Sequence, residues 1–439
     1  LIRLIIEAPA IGIPVTIVVI VVVVVQQKNA AKRAREETWD SAPVAAVPRV
    51  HRPDLGAIRR VDPLFSSVLF TDFVYALYAR AHGSRGDPQA MEALSPYIAA
   101  ESRATLLARD PAGVKIRGVV IGSMTVERVR VPDRPDGFVE VELGFESNYS
   151  AALPGGERGF YVREQWRLRR RADARTRAPE AVTALGCPSC GAPFERSDEG
   201  ACRSCGSKVE GGRFDWEVFF VRLRQQESRP PPLMHHAEEV GTDDRTLFAP
   251  TVQQDHAQLI AEDPTTAPEQ IERRVRTIHA ELNGAWTALD LRRARPYVSD
   301  ALFNYLQYWI DAYRAQGLRN VLKDYKLLRM VIVKVERDAH YDAITVRIWA
   351  TGIDYTARAN GERVSGSAKH PRTYSEYWTL IRGSGVRGRG SDPAQCPNCG
   401  APLDRVSMAG ACEYCGAHLT RGEFDWVLSK IEQDEAYAG

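Results

Sequence analysis

From Ala8 to Val25 the chain runs through eighteen residues without a charge, mostly valine and isoleucine. As a helix that run spans about 27 Å, close to the apolar thickness of a bilayer. Lipid enforces the helix, because backbone N–H and C=O groups find no water there. The pattern predicts a transmembrane anchor over residues 1–27, with Pro9 and Pro14 in its first part. A buried soluble helix and a secretory signal peptide are the alternatives; the sequence after Val25 offers no convincing small-residue cleavage site. Lys28, Lys32, Arg33 and Arg35 outweigh Arg3 with Glu7 on the other flank, so the positive-inside rule leaves all that follows in the cytoplasm.

Residues 28–61 read as a basic, then proline-containing tether, with Pro43, Pro48 and Pro53. Beyond Asp62-Pro63 the periodicity turns helical: Phe65, Leu69, Phe73 and Leu77 recur every four residues. A second helix is expected near Ala90–Leu107, then strands near Val119–Val131, Phe138–Phe145 and Phe160–Arg170. The middle strand alternates Val139, Glu140, Val141, Glu142, Leu143, with one face buried and one wet. After a linker over 225–266 the order repeats. Ile271, Val275, Ile278, Leu282, Trp286 and Leu289 form an amphipathic stripe opened by Pro268. A helix near Ser299–Gln316 follows, then strands near Leu327–Glu336, Ala343–Tyr355 and Thr373–Arg382. Two domains are expected, over 62–224 and 267–434.

The eight cysteines fall in two sets, Cys187, Cys190, Cys202, Cys205 and Cys396, Cys399, Cys412, Cys415. Each lies in a Cys-x-x-Cys-Gly knuckle, with eleven residues between the inner cysteines in the first set and twelve in the second. Four thiolates so spaced suit a tetrahedral zinc, and four protein ligands leave no open position for catalysis. Two structural zinc ions are expected, in ribbons at 186–210 and 395–420. The glycines Gly191, Gly206, Gly400 and Gly416 are placed to bring N–H donors toward the sulfurs. Short disulfides or a dithiol redox site are the competing readings. A reducing compartment, which keeps thiols available, agrees with the cytoplasmic side.

With Asp354-Tyr355, the run Glu376–Arg382 and Trp426–Ile431 in this order, the second copy resembles the Tim44-like domain, a family named for the scaffold of the mitochondrial import motor and with bacterial members. The first copy, with Phe65, Ser66, Glu164, Trp166 and Trp216, resembles it less and has Asn148-Tyr149 in place of the Asp-Tyr pair. The resemblance implies an α+β fold: two cystatin-like or nuclear-transport-factor-two-like cones, each with helices on a curved antiparallel sheet. It also places each zinc ribbon before the last strand, as a lobe projecting from its domain. It implies a scaffold on the bacterial inner membrane whose partners are the lipid bilayer, a membrane protein complex or a polypeptide.

Enzymatic signatures do not assemble. Asp290, Tyr297, His340, Asp354, Tyr355 and Glu376 could carry acid–base chemistry inside a cone, but no phosphate loop, nucleophile elbow or His-Glu metal helix accompanies them. His235 and His236 lie in the linker without further ligands nearby. Trp166, Trp216, Trp378 and Trp426 are expected to pack sheet interiors. The basic stretch Arg167–Arg171 raises a nucleic-acid reading, against which stand a net charge of only +2 and the expected anchor. The expectation is a non-enzymatic, membrane-anchored adaptor.

Overall fold

The computed structural model describes residues 53–439 apart from 183, 229–240, 389–394, 404 and 438. The expected anchor, most of the tether and the His235-His236 pair lie outside the described residues. Among the described residues no helix is long and apolar enough to cross a membrane.

The architecture is α+β, with two four-stranded antiparallel sheets. In the first half, helices α1 (Ser67–Gly83), α2 (Pro88–Glu92) and α3 (Ala100–Leu107) precede strands β1 (Lys115–Arg130), β2 (Phe138–Leu153), β3 (Gly156–Arg171) and β4 (Glu217–Ser228). In the second half, α4 (Val252–Glu262), α5 (Pro268–Ala288) and α6 (Asp300–Ala315) precede β5 (Leu318–Arg337), β6 (Tyr341–Arg358), β7 (Arg363–Gly383) and β8 (Val427–Gln433). Both sheets follow chain order, β1-β2-β3-β4 and β5-β6-β7-β8.

Local sequence accounts for these elements. Ser66 opens α1 by accepting the Leu69 N–H, and Ser299 opens α6 by accepting that of Leu302. The single helix expected near Ala90–Leu107 is two, because Leu94–Ile98 turns away and Ile98 bridges β4 at Val218. Val298 bridges Leu428 of β8 in the same parallel sense, so Pro96-Tyr97-Ile98 and Pro296-Tyr297-Val298 each tie the helical layer to the last strand of their sheet. Strands run longer than the apolar alternation indicated. Their outer portions pair through the backbone while their side chains face water, which hydrophobic spacing does not report. The linker expected over 225–266 is also partly folded: β4 reaches Ser228, and α4 packs Leu259 into the second core.

Three register shifts interrupt the β1–β2 ladder and three interrupt β5–β6. Each shift adds a local bend, so both sheets curl over their helices. The two halves also share packing. Tyr341, Ala343, Ile381 and Val427 of the second half join the buried cluster of the first, beside Leu69, Phe73 and Ile121.

Candidate metal centres and cavity

In each ribbon the four Sγ atoms lie within 4.8 Å of one another. The separations Cys187–Cys205, Cys396–Cys415 and Cys399–Cys412 are each 3.9 Å. A disulfide needs about 2.05 Å. A metal with four sulfurs at about 2.3 Å in a tetrahedron has an S···S edge of about 3.8 Å. The donor set therefore fits a tetrahedral thiolate site, and in each set two cysteines are buried and two exposed.

The backbone builds the site. Gly191, Gly206, Gly400 and Gly416 have φ of 79°, 71°, 75° and 72°, which side chains disfavour. Their N–H groups do not reach sulfur as the sequence suggested. They close the knuckle onto the carbonyls of Cys187, Cys202, Cys396 and Cys412, each at 2.8 Å. The residue after the glycine supplies the sulfur's donor: Ser207 N–H serves Cys205, Ala401 serves Cys399 and Ala417 serves Cys415. In the thiol form, the Ser207 hydroxyl and N–H lower Cys205 to about 6, while burial pushes Cys187 up to about 12. A bound cation would overcome the second effect by holding the sulfur as thiolate.

The ribbons do not project freely. The first lies against its helical layer through Tyr97 Oη–Gly186 O at 2.5 Å and Arg196–Glu92 at 3.1 Å. The second is held by Arg295 Nε–Met408 O at 3.0 Å and Thr420 Oγ1–Asp300 Oδ1 at 2.9 Å. A lobe of this size has only a small apolar cluster of its own, around Phe194 and Val209 in the first and Val406 and Leu419 in the second, so it also packs on the nearest fixed surface.

The interiors of the two halves differ. Trp166 Nε1 donates to Glu164 at 2.9 Å, and Trp378 Nε1 donates to Glu376 at 2.8 Å. In the first half the carboxylate is answered by His82 Nε2 at 3.1 Å and by Arg109. Burial opposes ionisation of Glu164, but these partners outweigh it and hold the carboxyl near 2. Burial also lowers His82, while the Glu164 charge and hydrogen bond work against that shift. Tyr78, Phe145, Tyr149 and Trp166 fill the remaining space with ring contacts.

In the second half the corresponding space is a cavity of about 510 Å³. Of the carboxylates and aromatics singled out in the sequence, it brings together Asp354, Glu376 and Trp378. Asp354 accepts from Asn320 at 2.8 Å and pairs with Arg372 at 2.9 Å. Glu376 accepts from Trp378 and from Gln433 Nε2 at 3.0 Å. Burial raises its pKa, although the carboxyl faces the cavity. His279 bonds Tyr374 at 3.0 Å, and burial, with Arg276, lowers it to about 4. The other candidates lie elsewhere. Asp290 caps a turn through Arg292 N, Tyr297 packs under Arg274, and His340 sits in the β5–β6 turn; neither they nor Tyr355 line the cavity. Tyr325, Tyr374, Arg372 and Trp286 do line it; sequence reading placed Trp286 only on a helical stripe and singled out none of the other three. A signal for two of these lay in the spacing: Arg372 and Tyr374 precede Glu376 on its strand at steps of two.

The four tryptophans are buried as expected. The basic strand is neutralised: Arg170 pairs with Asp62, Arg169 with Glu217, Arg167 with Glu142 and Arg171 with Asp173.

Residues 252–391 match the family model of the Tim44-like domain, which places that domain in the second half. The match begins at α4, earlier than the sequence motifs indicated, and ends before Cys396. No curated protein sequence matches the chain. A solved structure described as "Ntf2 like protein involved in plasmid conjugation" is similar at 6% identity and a TM-score of 0.19, over 82% of this chain and 92% of that one. A score that low carries no argument.

Proposed function

We propose that this protein is a non-enzymatic adaptor at a membrane, with two Tim44-like units stiffened by structural zinc. The observation that carries the reading is the Tim44-like match over residues 252–391, with four-sulfur sites that leave a metal no open position. The equal strand order of the two sheets and the repeated Trp-Glu contact support treating the first half as a diverged second copy. Zinc fits sites of four sulfurs better than metals that prefer oxygen. The run Ala8–Val25 and the basic residues after it support a single membrane anchor in a bacterial inner membrane, with the two halves on the cytoplasmic side. The partner is a membrane protein complex, a polypeptide or the lipid surface. Nucleic acid is disfavoured because the arginines of the Arg167–Arg171 stretch are spent on carboxylates.

Crosslinking in intact membranes followed by mass spectrometry tests the reading. Recovery of membrane-complex subunits, passenger polypeptides or lipid on residues 53–439 supports it. A chain found wholly in the soluble fraction, with crosslinks only to itself, overturns it.

A further inference from the structure

The first half shows how this fold satisfies the carboxyl that follows the middle of its third strand. Glu164 meets a tryptophan N–H and a cation, the Arg109 guanidinium. Glu376 holds the matching place on β7 and meets the matching N–H, but its second donor is the neutral amide of Gln433. The neighbouring guanidinium, Arg372, is already paired with Asp354 at 2.9 Å. At the cavity mouth Lys430 is likewise paired with Glu432 at 2.8 Å. Counted over these lining groups, three carboxyls, Asp354, Glu376 and Glu432, face two cations, and Glu376 has only a share of Arg372.

The walls suit the missing charge. Tyr325, Tyr374, Trp286 and Trp378 line the cavity, and aromatic faces attract cations electrostatically. Leu282, Leu302 and Leu306 extend the lining for an apolar body. The volume of about 510 Å³ falls in the range of small-molecule sites. The first half supplies the cover: Tyr75 and the Ile121–Met124 stretch of β1 line the same cavity, at one of the register shifts that bend that strand.

We propose that this cavity is a binding site for a small organic cation, an alkyl- or arylammonium, seated on Glu376 between aromatic walls and covered by the first half. The site stands independently of the adaptor reading, since neither a membrane nor a protein partner enters the argument. The ligand takes the place that Arg109 occupies in the first half, so one half carries its cation within the chain and the other receives it from solution.

Calorimetric titration of the purified full-length chain, in non-ionic detergent, tests this with benzyltrimethylammonium and its uncharged carbon counterpart neopentylbenzene. The ammonium is expected to bind once per chain and at least about tenfold more tightly than the hydrocarbon. Glu376→Gln should abolish that preference while leaving the melting temperature and metal content in place. Ser123→Trp, an exposed position of the cover, should block both probes. Equal binding of the two probes, a preference that survives Glu376→Gln, or no binding at millimolar concentration overturns the proposal. Should Glu376→Gln fail to fold, the charge preference of the unmodified chain and its loss in Ser123→Trp decide the matter.

Discussion

Arg170 and Asp62, 108 residues apart in sequence, meet at 2.7 Å with both side chains almost fully buried, and the guanidinium lies 4.9 Å from the centre of the Trp216 ring. Arg382, Asp263 and Trp426 repeat the arrangement at 2.8 Å and 4.6 Å. The pair ties Asp62 ahead of α1, and Asp263 between α4 and α5, to the third strand of its sheet, and the tryptophan of Phe214-Asp215-Trp216 or Phe424-Asp425-Trp426 floors it. Removing one partner of such a pair leaves an uncompensated buried charge, whereas replacing both removes the desolvation cost as well. Arg382→Met should therefore destabilise by about 3–5 kcal/mol. Asp263→Leu combined with Arg382→Met should recover most of that loss. Urea denaturation of the single and double variants measures the difference. A double variant no better than the single would show that the pair contributes more than charge balance.

Metal content should follow the cysteine sets independently. Protein purified without added metal is expected to carry about two zinc ions per chain, because four-sulfur sites retain zinc tightly. Cys187→Ser should bring the content to about one and loosen contacts of the first ribbon such as Tyr97–Gly186. Elemental analysis with hydrogen exchange reads both effects. Unchanged metal content in Cys187→Ser would count against the assignment.

Acid should weaken the first half through Glu164. Its folded pKa, near 2, lies below the unfolded value of about 4.3. The unfolded chain therefore takes up the proton first as pH falls. The stabilising contribution is complete above about pH 5 and is lost as pH falls toward 2. Glu164→Gln should be less stable at pH 7 and should flatten the stability profile between pH 5 and 2. Chemical denaturation across that range checks it.

Asp72 has the opposite sign. It lines a cavity of about 160 Å³ between the halves, together with Asp300, Tyr305, Tyr341 and Arg421. Burial first, and then the nearby Asp300 charge, raise its pKa to about 7. The folded state thus holds a proton that the unfolded chain releases near pH 4, so the penalty grows as pH rises from about 4 to 7 and is full above that. Asp72→Asn should raise the melting temperature at pH 8 and change it little at pH 4, as read by calorimetry. No gain at pH 8 would refute the assignment.

Much of this was legible in the chain. Helices α1, α5 and α6 follow from stripes such as Ile271–Val275–Ile278–Leu282, since burial on one face requires that spacing. The cysteine sets announced themselves by spacing and by the glycine after each knuckle. What stayed hidden depends on residues brought together from distant strands. The Asp263–Arg382 pair joins a loop to the end of β7, and nothing local marks either residue as buried. Likewise Glu164 and Glu376 sit in matching motifs, Glu-Gln-Trp and Glu-Tyr-Trp. Only the fold reveals that Arg109 fills the interior beside one and leaves room beside the other. The glycine N–H groups were misassigned because spacing places them near sulfur, while the turn's own geometry directs them to a carbonyl.

Ile381 and Val427 belong to the core of the first half although they are strand residues of the second. A hinge between the halves would have to open that apolar surface to water, a cost that resists it. While that shared core holds, a partner on one half would keep its distance and angle from one on the other, as in a ruler with two clamps.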